Sequence, residues 1–552
     1  MKKILLIFLF FTVISSFAQN KKVIEPNSAN NTNIARPKLV VGIMIDHMRW
    51  DYLYRYQNRY DSNGFNRLLN GGFTCENTLI SYTPTATACG HASVYTGTVP
   101  AINGIASNNW WDMKEHKYVY CCDDKNVTGI GSNTKKGMMS PRNMVSNTIT
   151  DELRLATNFK SKVIGVAMKD RGSIFPAGHS ANAAYWYDEE KGIFISSSFY
   201  MKDLPQWVKD FNAKNWADKY YAEGWQTLYP INTYTMSTKD DNNYEKTKWL
   251  DVEKPVFPYN FSKFMGKDYT KFWYMPQAIT YTFEMSKAAI AAEHLGKNNV
   301  TDFLAISISS TDYMAHTFGP NSIEAEDMYL RLDRDLAAFL EHLDNTIGKG
   351  NYLVFLTADH GGPHIPDFLK EHNLPAGSLQ LKNAVKEINN TIQEKFGVKN
   401  AIAYQTYYNI SLNYLNIDSA KADAEKIKEF IIQELENVEG VYRVVDKKKL
   451  ETSGLQPIIK ERLLNGYFPN RSGDIQVIPL PQWMRDTPKG TDHSLWNAYD
   501  AHIPLVWYGW GVQQGSTHRE TYITDIAATL AALLKIQMPN GCIGHVITEV
   551  IK

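Results

Sequence analysis

The chain has 552 residues, 44% of them hydrophobic and 21% charged, which is ample material for a large core. Lys plus Arg and Asp plus Glu both total 58, so formal net charge is zero and the basic excess of a nucleic-acid binder is absent. No stretch reaches about 18 uninterrupted apolar residues, which argues against stable membrane insertion by a spanning helix.

Lys2 and Lys3 precede an apolar run, Ile4 to Ile14, broken only by Thr12, and Ser16-Phe17-Ala18 follows with small residues where a signal peptidase reads. This pattern predicts a signal peptide over 1–18 and a periplasmic or secreted protein. Residues 19–36, rich in Asn, read as a flexible leader to a catalytic domain over 37–552. Five cysteines, Cys75, Cys89, Cys121, Cys122 and Cys542, match no zinc-ribbon spacing and are read as structural.

Three β-branched runs end near acidic residues. Lys38–Ile45 meets Asp46, Phe303–Ser309 precedes Asp312, and Tyr352–Thr357 leads to Asp359-His360-Gly361-Gly362. Continuous apolar runs of this length predict strands buried on both faces. Helical patterns cover Thr282–Leu295, Ala325–Asp344 and Ile523–Leu534. The alternation predicts an α/β fold with a central, mostly parallel sheet flanked by helices, whose ligands sit beyond the carboxyl ends of the strands. Cap-like insertions are expected at about 180–275, dense in Tyr and Trp, and at 363–490, with a helix over Ala420–Leu435 and a strand over Asp474–Ile478.

Asp312 and His316 stand four apart, so a helix there puts both on one face. With Asp46, Asp359, His360 and His493 they make three carboxylates and three imidazoles. That is enough for two zinc ions with three protein ligands each, the composition of catalytic zinc. The other eleven histidines, His47 and His91 among them, are read as structural or surface groups. In Thr83-Pro84-Thr85-Ala86-Thr87-Ala88-Cys89-Gly90-His91 a hydroxyl at a helix start would lie where backbone N–H groups favour an anion. The residues alone leave Thr83, Thr85 and Thr87 all open as the nucleophile. Lys169 and Arg171 follow the strand-like Lys162–Met168 and could both face a dianionic phosphoryl group.

With these segments in view, the sequence resembles the flavobacterial-type, phosphate-irrepressible (PafA-like) alkaline phosphatases of the alkaline phosphatase superfamily. The likeness runs from Arg36-Pro37-Lys38-Leu39-Val40 to Val550-Ile551. It is densest at Asp46-His47-Met48-Arg49-Trp50-Asp51-Tyr52-Leu53, Ser310-Thr311-Asp312-Tyr313 with His316, Tyr329 to Asp335, and Ala358-Asp359-His360-Gly361. The resemblance implies an alkaline-phosphatase-like fold and two zinc ions per chain, one on Asp46, Asp359 and His360, the other on Asp312, His316 and His493. It implies Thr87 as the nucleophile, Asn108 on a phosphoryl oxygen and Lys169 with Arg171 as the Lys-x-Arg pair. Small phosphate monoesters would be hydrolysed through a phosphothreonine intermediate by a monomer. Cys89 departs from the pattern, where an aliphatic residue is expected.

Three other readings compete. A phosphodiesterase or nucleotide pyrophosphatase of the same superfamily would share the metal ligands, the Thr and the Asn but lack the Lys-x-Arg pair. A sulfatase would need Cys/Ser-x-Pro-x-Arg, which is absent from Thr83 to Thr87. A non-catalytic binding protein would have lost a ligand or the nucleophile, and every expected position is filled.

Overall fold

A computed structural model describes residues 34–247, 249–250, 254–486 and 489–552. The expected signal peptide and the leader up to residue 33 lie outside the described residues. Four strands form the centre: β1 (Leu39–Ile45), β2 (Val163–Ala167), β3 (Asp302–Ile308) and β4 (Tyr352–Thr357). They lie side by side in the order β4-β1-β3-β2, and every adjacent pair is parallel. Ala183–Asp188 extends them in parallel, while Leu505–Gly509 joins β4 in antiparallel fashion toward Phe73–Leu79. Every residue of the four central strands is buried, because helices cover both faces and no polar face is needed.

The predicted runs and observed strands agree within one residue at each end. Register then sets the stage for chemistry. Met44 pairs with Thr357, Ile45 with Ile308, and Ala167 with Ser307, so the central strands finish at one level. Asp46, Lys169, Asp312 and Asp359 all leave the sheet within a few residues of that level.

The segment expected as the first insertion begins inside the main sheet. Tyr185 and Trp186 belong to Ala183–Asp188 and are almost fully buried. Their aromatic density serves core packing, since strands accept large rings on a pleated, buried surface. Between 377 and 486 lies a second, four-stranded antiparallel sheet of Ile402–Thr406, Asn409–Leu412, Ile475–Pro479 and Val441–Asp446. Helices Leu381–Phe396 and Ala424–Glu436 pack their apolar stripes onto it, around Ile388, Ile392, Ile427, Ile431 and Leu435.

Candidate active site

The candidate nucleophile segment leads into helix α1 (Thr87–Thr96), all ten residues of which are buried. The helix crosses the strand ends so closely that a Cβ on Gly90 would stand 2.4 Å from the Asp359 carbonyl oxygen. Only glycine fits that approach. Ala86 offers no side-chain cap. Instead Asn108 Oδ1 accepts the Ala88 N–H at 2.8 Å, filling one of the orphan positions of a helix start. Asn108 Nδ2 in turn donates to Tyr407 Oη at 2.8 Å.

The three threonines left open by the sequence separate here. Thr83 Oγ1 donates to the Ser494 carbonyl at 2.8 Å, and Thr85 Oγ1 to the Leu495 carbonyl at 2.9 Å. Both hydroxyls tie the loop down. Among the described residues no such bond engages the Thr87 hydroxyl, although Thr87 is 1% exposed. Cys89 turns away, its Sγ 3.2 Å from the Ile105 carbonyl, and burial pushes its thiol pKa well up. All five cysteines are free.

Two clusters of donor atoms lie at the strand ends. The first is Asp46, Asp359 and His360, all fully buried. Asp46 ends β1. Asp359 Oδ1 accepts from the backbone N–H groups of His47 and His360, at 3.1 and 3.0 Å. The remaining donor atoms, Asp46 Oδ1, Asp359 Oδ2 and His360 Nε2, are buried with no hydrogen-bond partner. Three orphaned ligand-type atoms within 4.8 Å of one another suit a metal ion, since buried polar atoms otherwise find partners. The second cluster is Asp312, His316 and His493 joined by His47. Helix α3 (Ser310–Phe318) carries Asp312 and His316 on one face, with His316 Nε2 3.2 Å from Asp312 Oδ1. The His360 and His493 rings stack at 3.6 Å and join the two clusters.

Backbone carbonyls set the histidine tautomers. Nδ1 of His360 faces the Gly361 carbonyl at 3.0 Å, that of His316 the Thr491 carbonyl at 2.8 Å, and that of His493 the Thr85 carbonyl at 2.6 Å. A carbonyl only accepts, so each Nδ1 carries a proton, and each Nε2, once deprotonated, would turn a lone pair inward. Burial, then the neighbouring imidazoles, keep His493 neutral well below its ordinary pKa. Burial, then the Asp359 charge, push Asp46 well above the carboxylate range. Asp312 goes the other way, because the charges of His316 and Lys169 outweigh its burial.

Lys169 joins the clusters. Its Nζ lies 2.6 Å from Asp46 Oδ2 and 2.5 Å from Asp312 Oδ2. Burial opposes its charge, but those carboxylates hold it firmly protonated. Arg171, in helix α2 (Asp170–Ala177), donates to Tyr120 Oη at 3.1 Å and leaves its buried Nε unpartnered. Beside both cations opens a cavity of about 430 Å³, walled by Tyr120, Trp186, Trp273 and Tyr313.

Known proteins with this sequence pattern carry the reading further. The model of the type I phosphodiesterase / nucleotide pyrophosphatase family matches residues 40–504. Alkaline phosphatase PhoV of Synechococcus elongatus is 51% identical over 98% of this chain and 97% of its own. Alkaline phosphatase PafA of Elizabethkingia meningoseptica is 46% identical over 95% of this chain and 96% of its own. The crystal structure of wild-type PafA superposes with a TM-score of 0.91, covering 94% of this chain and 100% of that one. The chain belongs to the PafA-like alkaline phosphatases. It is therefore a phosphatase of the alkaline phosphatase superfamily. A further relative, named calcium-transporting ATPase, from Myroides odoratus, is 51% identical over 94% of this chain and 95% of its own. Among the described residues no helix is long and apolar enough to cross a membrane.

All ten residues that the sequence singles out stand at or beside this phosphatase's strand ends or the start of α1. Two more that it did not single out join them. Tyr407 comes from the turn of a hairpin in the second sheet, and His47 stands next to Asp46, two residues past β1, at φ 63°. A left-handed residue next to Asp46 was the available signal for His47, but φ is not written in residue type. Tyr407 carried no local signal at all.

Proposed function

We propose that this phosphatase hydrolyses phosphate monoesters by transferring the phosphoryl group to Thr87. The observation that carries this is the division of labour in the Thr83–Thr87 loop, where two hydroxyls are spent on backbone carbonyls and none of the described residues engages the third. Asp46, Asp359 and His360 would hold one zinc ion, and Asp312, His316 and His493 the other. Bound there, the ions would lower the pKa of the attacking hydroxyl and neutralise the charge developing on the leaving oxygen. Thr87 Oγ attacks phosphorus as the bond to the leaving alkoxide breaks, and water then cleaves the phosphothreonine to release inorganic phosphate. The N-terminus of α1 and the Asn108 amide orient the phosphoryl oxygens. Lys169 exchanges its carboxylate partners for a phosphoryl oxygen, and Arg171 meets another from the same side.

A phosphodiesterase remains the second reading, because the matching family model bears that name. Two cations at one site favour the dianionic monoester, where the added charge is strongest. The wider expectations, an exported monomer acting on small phosphate esters, belong to the same proposal. Hydrolysis of p-nitrophenyl phosphate beside bis-p-nitrophenyl phosphate, with zinc and with chelator, tests it. Faster monoester cleavage that tracks zinc is the expected outcome. Preference for the diester would transfer the chain to the second reading.

A further inference from the structure

His47 stands inside the second donor cluster, where no three-ligand scheme gives it a task. Its Nδ1 is 2.9 Å from Asp312 Oδ1, and its ring lies edge-on to those of His316, His360 and His493 at 5.1–5.2 Å. The ring is 2% exposed. It is held on both sides. The left-handed backbone aims it across the strand ends, and its Nε2 lies so close to Gly362 that a Cβ there would be 1.8 Å away. Nε2 is therefore packed against backbone, and Nδ1 is the atom turned into the cluster. This inverts the pattern of the other three histidines, whose Nδ1 atoms are committed to carbonyls. One donor atom from each of His47, Asp312, His316 and His493 lies within 4.8 Å of the others.

We propose that His47, through Nδ1, is a fourth protein ligand of the Asp312 metal site. The inference rests on the reading of both clusters as metal sites. It divides them by chemistry. The Asp312 site offers three nitrogens and one oxygen, and the Asp46 site two oxygens and one nitrogen. Nitrogen-rich sites suit zinc and its late transition-metal neighbours, while carboxylate-rich sites admit harder ions. A fourth protein donor would hold the Asp312 metal the more firmly, and that metal would then meet the leaving oxygen as a fifth ligand. The three-donor Asp46 site keeps a position open.

The decisive measurement uses the unaltered protein, labelled with ¹⁵N-histidine and loaded with ¹¹³Cd in place of zinc. Cadmium–nitrogen couplings should show one cadmium bonded to three ring nitrogens, one of them an Nδ1, and the other cadmium bonded to a single Nε2. Two nitrogens and one, with no coupled Nδ1, would overturn the assignment. Zinc competition against a chromophoric chelator gives a second test. His47→Ala should weaken one of two sites at least tenfold and leave the other unchanged. His47→Gln retains an amide donor for Asp312 and should be weakened equally. If Gln restores wild-type affinity, His47 acts only by orienting Asp312 and is no ligand. If the unaltered protein takes up no metal at either cluster, the metal reading itself fails and the inference falls with it.

Discussion

The two donor clusters face each other across Lys169 yet are built differently. Asp46, Asp359 and His360 have fully buried side chains, carry two carboxylates and leave three atoms unpartnered. Asp312, His316 and His493 carry one carboxylate, and the His316 side chain keeps 29% of its surface exposed. The first cluster comes from loops that follow immediately on β1 and β4. The second needs a helix and a loop more than 170 residues apart in sequence, joined at His316 Nδ1 and the Thr491 carbonyl. The buried cluster thus pays in unbalanced charge, and the other in assembly.

Thr87→Ala should have the largest effect, because the α1 segment serves both clusters. Turnover should fall by about 10⁴-fold or more while bound metal, measured by elemental analysis, stays at the wild-type level. Loss of metal together with activity would demote Thr87 to a structural cap. The contrast between clusters is sharpened next. Asp46→Asn removes a buried carboxyl oxygen from the first cluster and should cost roughly 10³-fold in kcat, with no recovery in excess zinc. His316→Ala opens the more accessible cluster and should cost roughly 10- to 100-fold, with recovery as zinc is raised. Equal losses and equal rescue would erase the distinction.

Lys169 and Arg171 test the substrate side of the same comparison. Alanine at both positions should cut kcat/KM for the monoester about 10²-fold or more and for the diester far less. The smallest effect lies outside both clusters, at Asp151. Despite its burial, bonds from His179, Ser180 and the Thr148 N–H bring its carboxyl down to about 2. A lowered carboxylate stabilises the fold above its unfolded value, near 3.8, and that share disappears as pH falls from about 4 toward 2. Asp151→Asn should therefore cost about 2 kcal/mol near neutral pH, and thermal unfolding of the two proteins should converge in acid. Activity at saturating zinc should not change.

Much of this was legible in the residues, for local reasons. Strands such as Tyr352–Thr357 announce themselves because burial on both faces demands an unbroken apolar run. Asp312 and His316 declare their shared face by a spacing of four. What stayed hidden depends on distant partners. Thr87 could not be told from Thr83 and Thr85 because the bonds that distinguish them reach Ser494 and Leu495. Tyr407 meets Asn108 across 299 residues of chain. His47 was hidden for the opposite reason, since its role follows from one backbone angle beside a residue already chosen. Tyr185 and Trp186 misled, because aromatic density looks alike in a cap and in a sheet.

The carbonyl of Thr85 and the imidazole of His493 are 408 residues apart and 2.6 Å from each other. A ribosome must deliver nearly the whole chain before that bond can form. A product ending near residue 486 would carry Asp46, Thr87, Lys169, Asp312, Asp359 and His360, yet lack the histidine that completes the second cluster and the carbonyls that tether Thr83 and Thr85. If His493 completes the site as proposed, catalytic competence waits for the last tenth or so of the chain. A chain truncated at residue 486 should therefore release no phosphate from p-nitrophenyl phosphate in an assay beside the full chain.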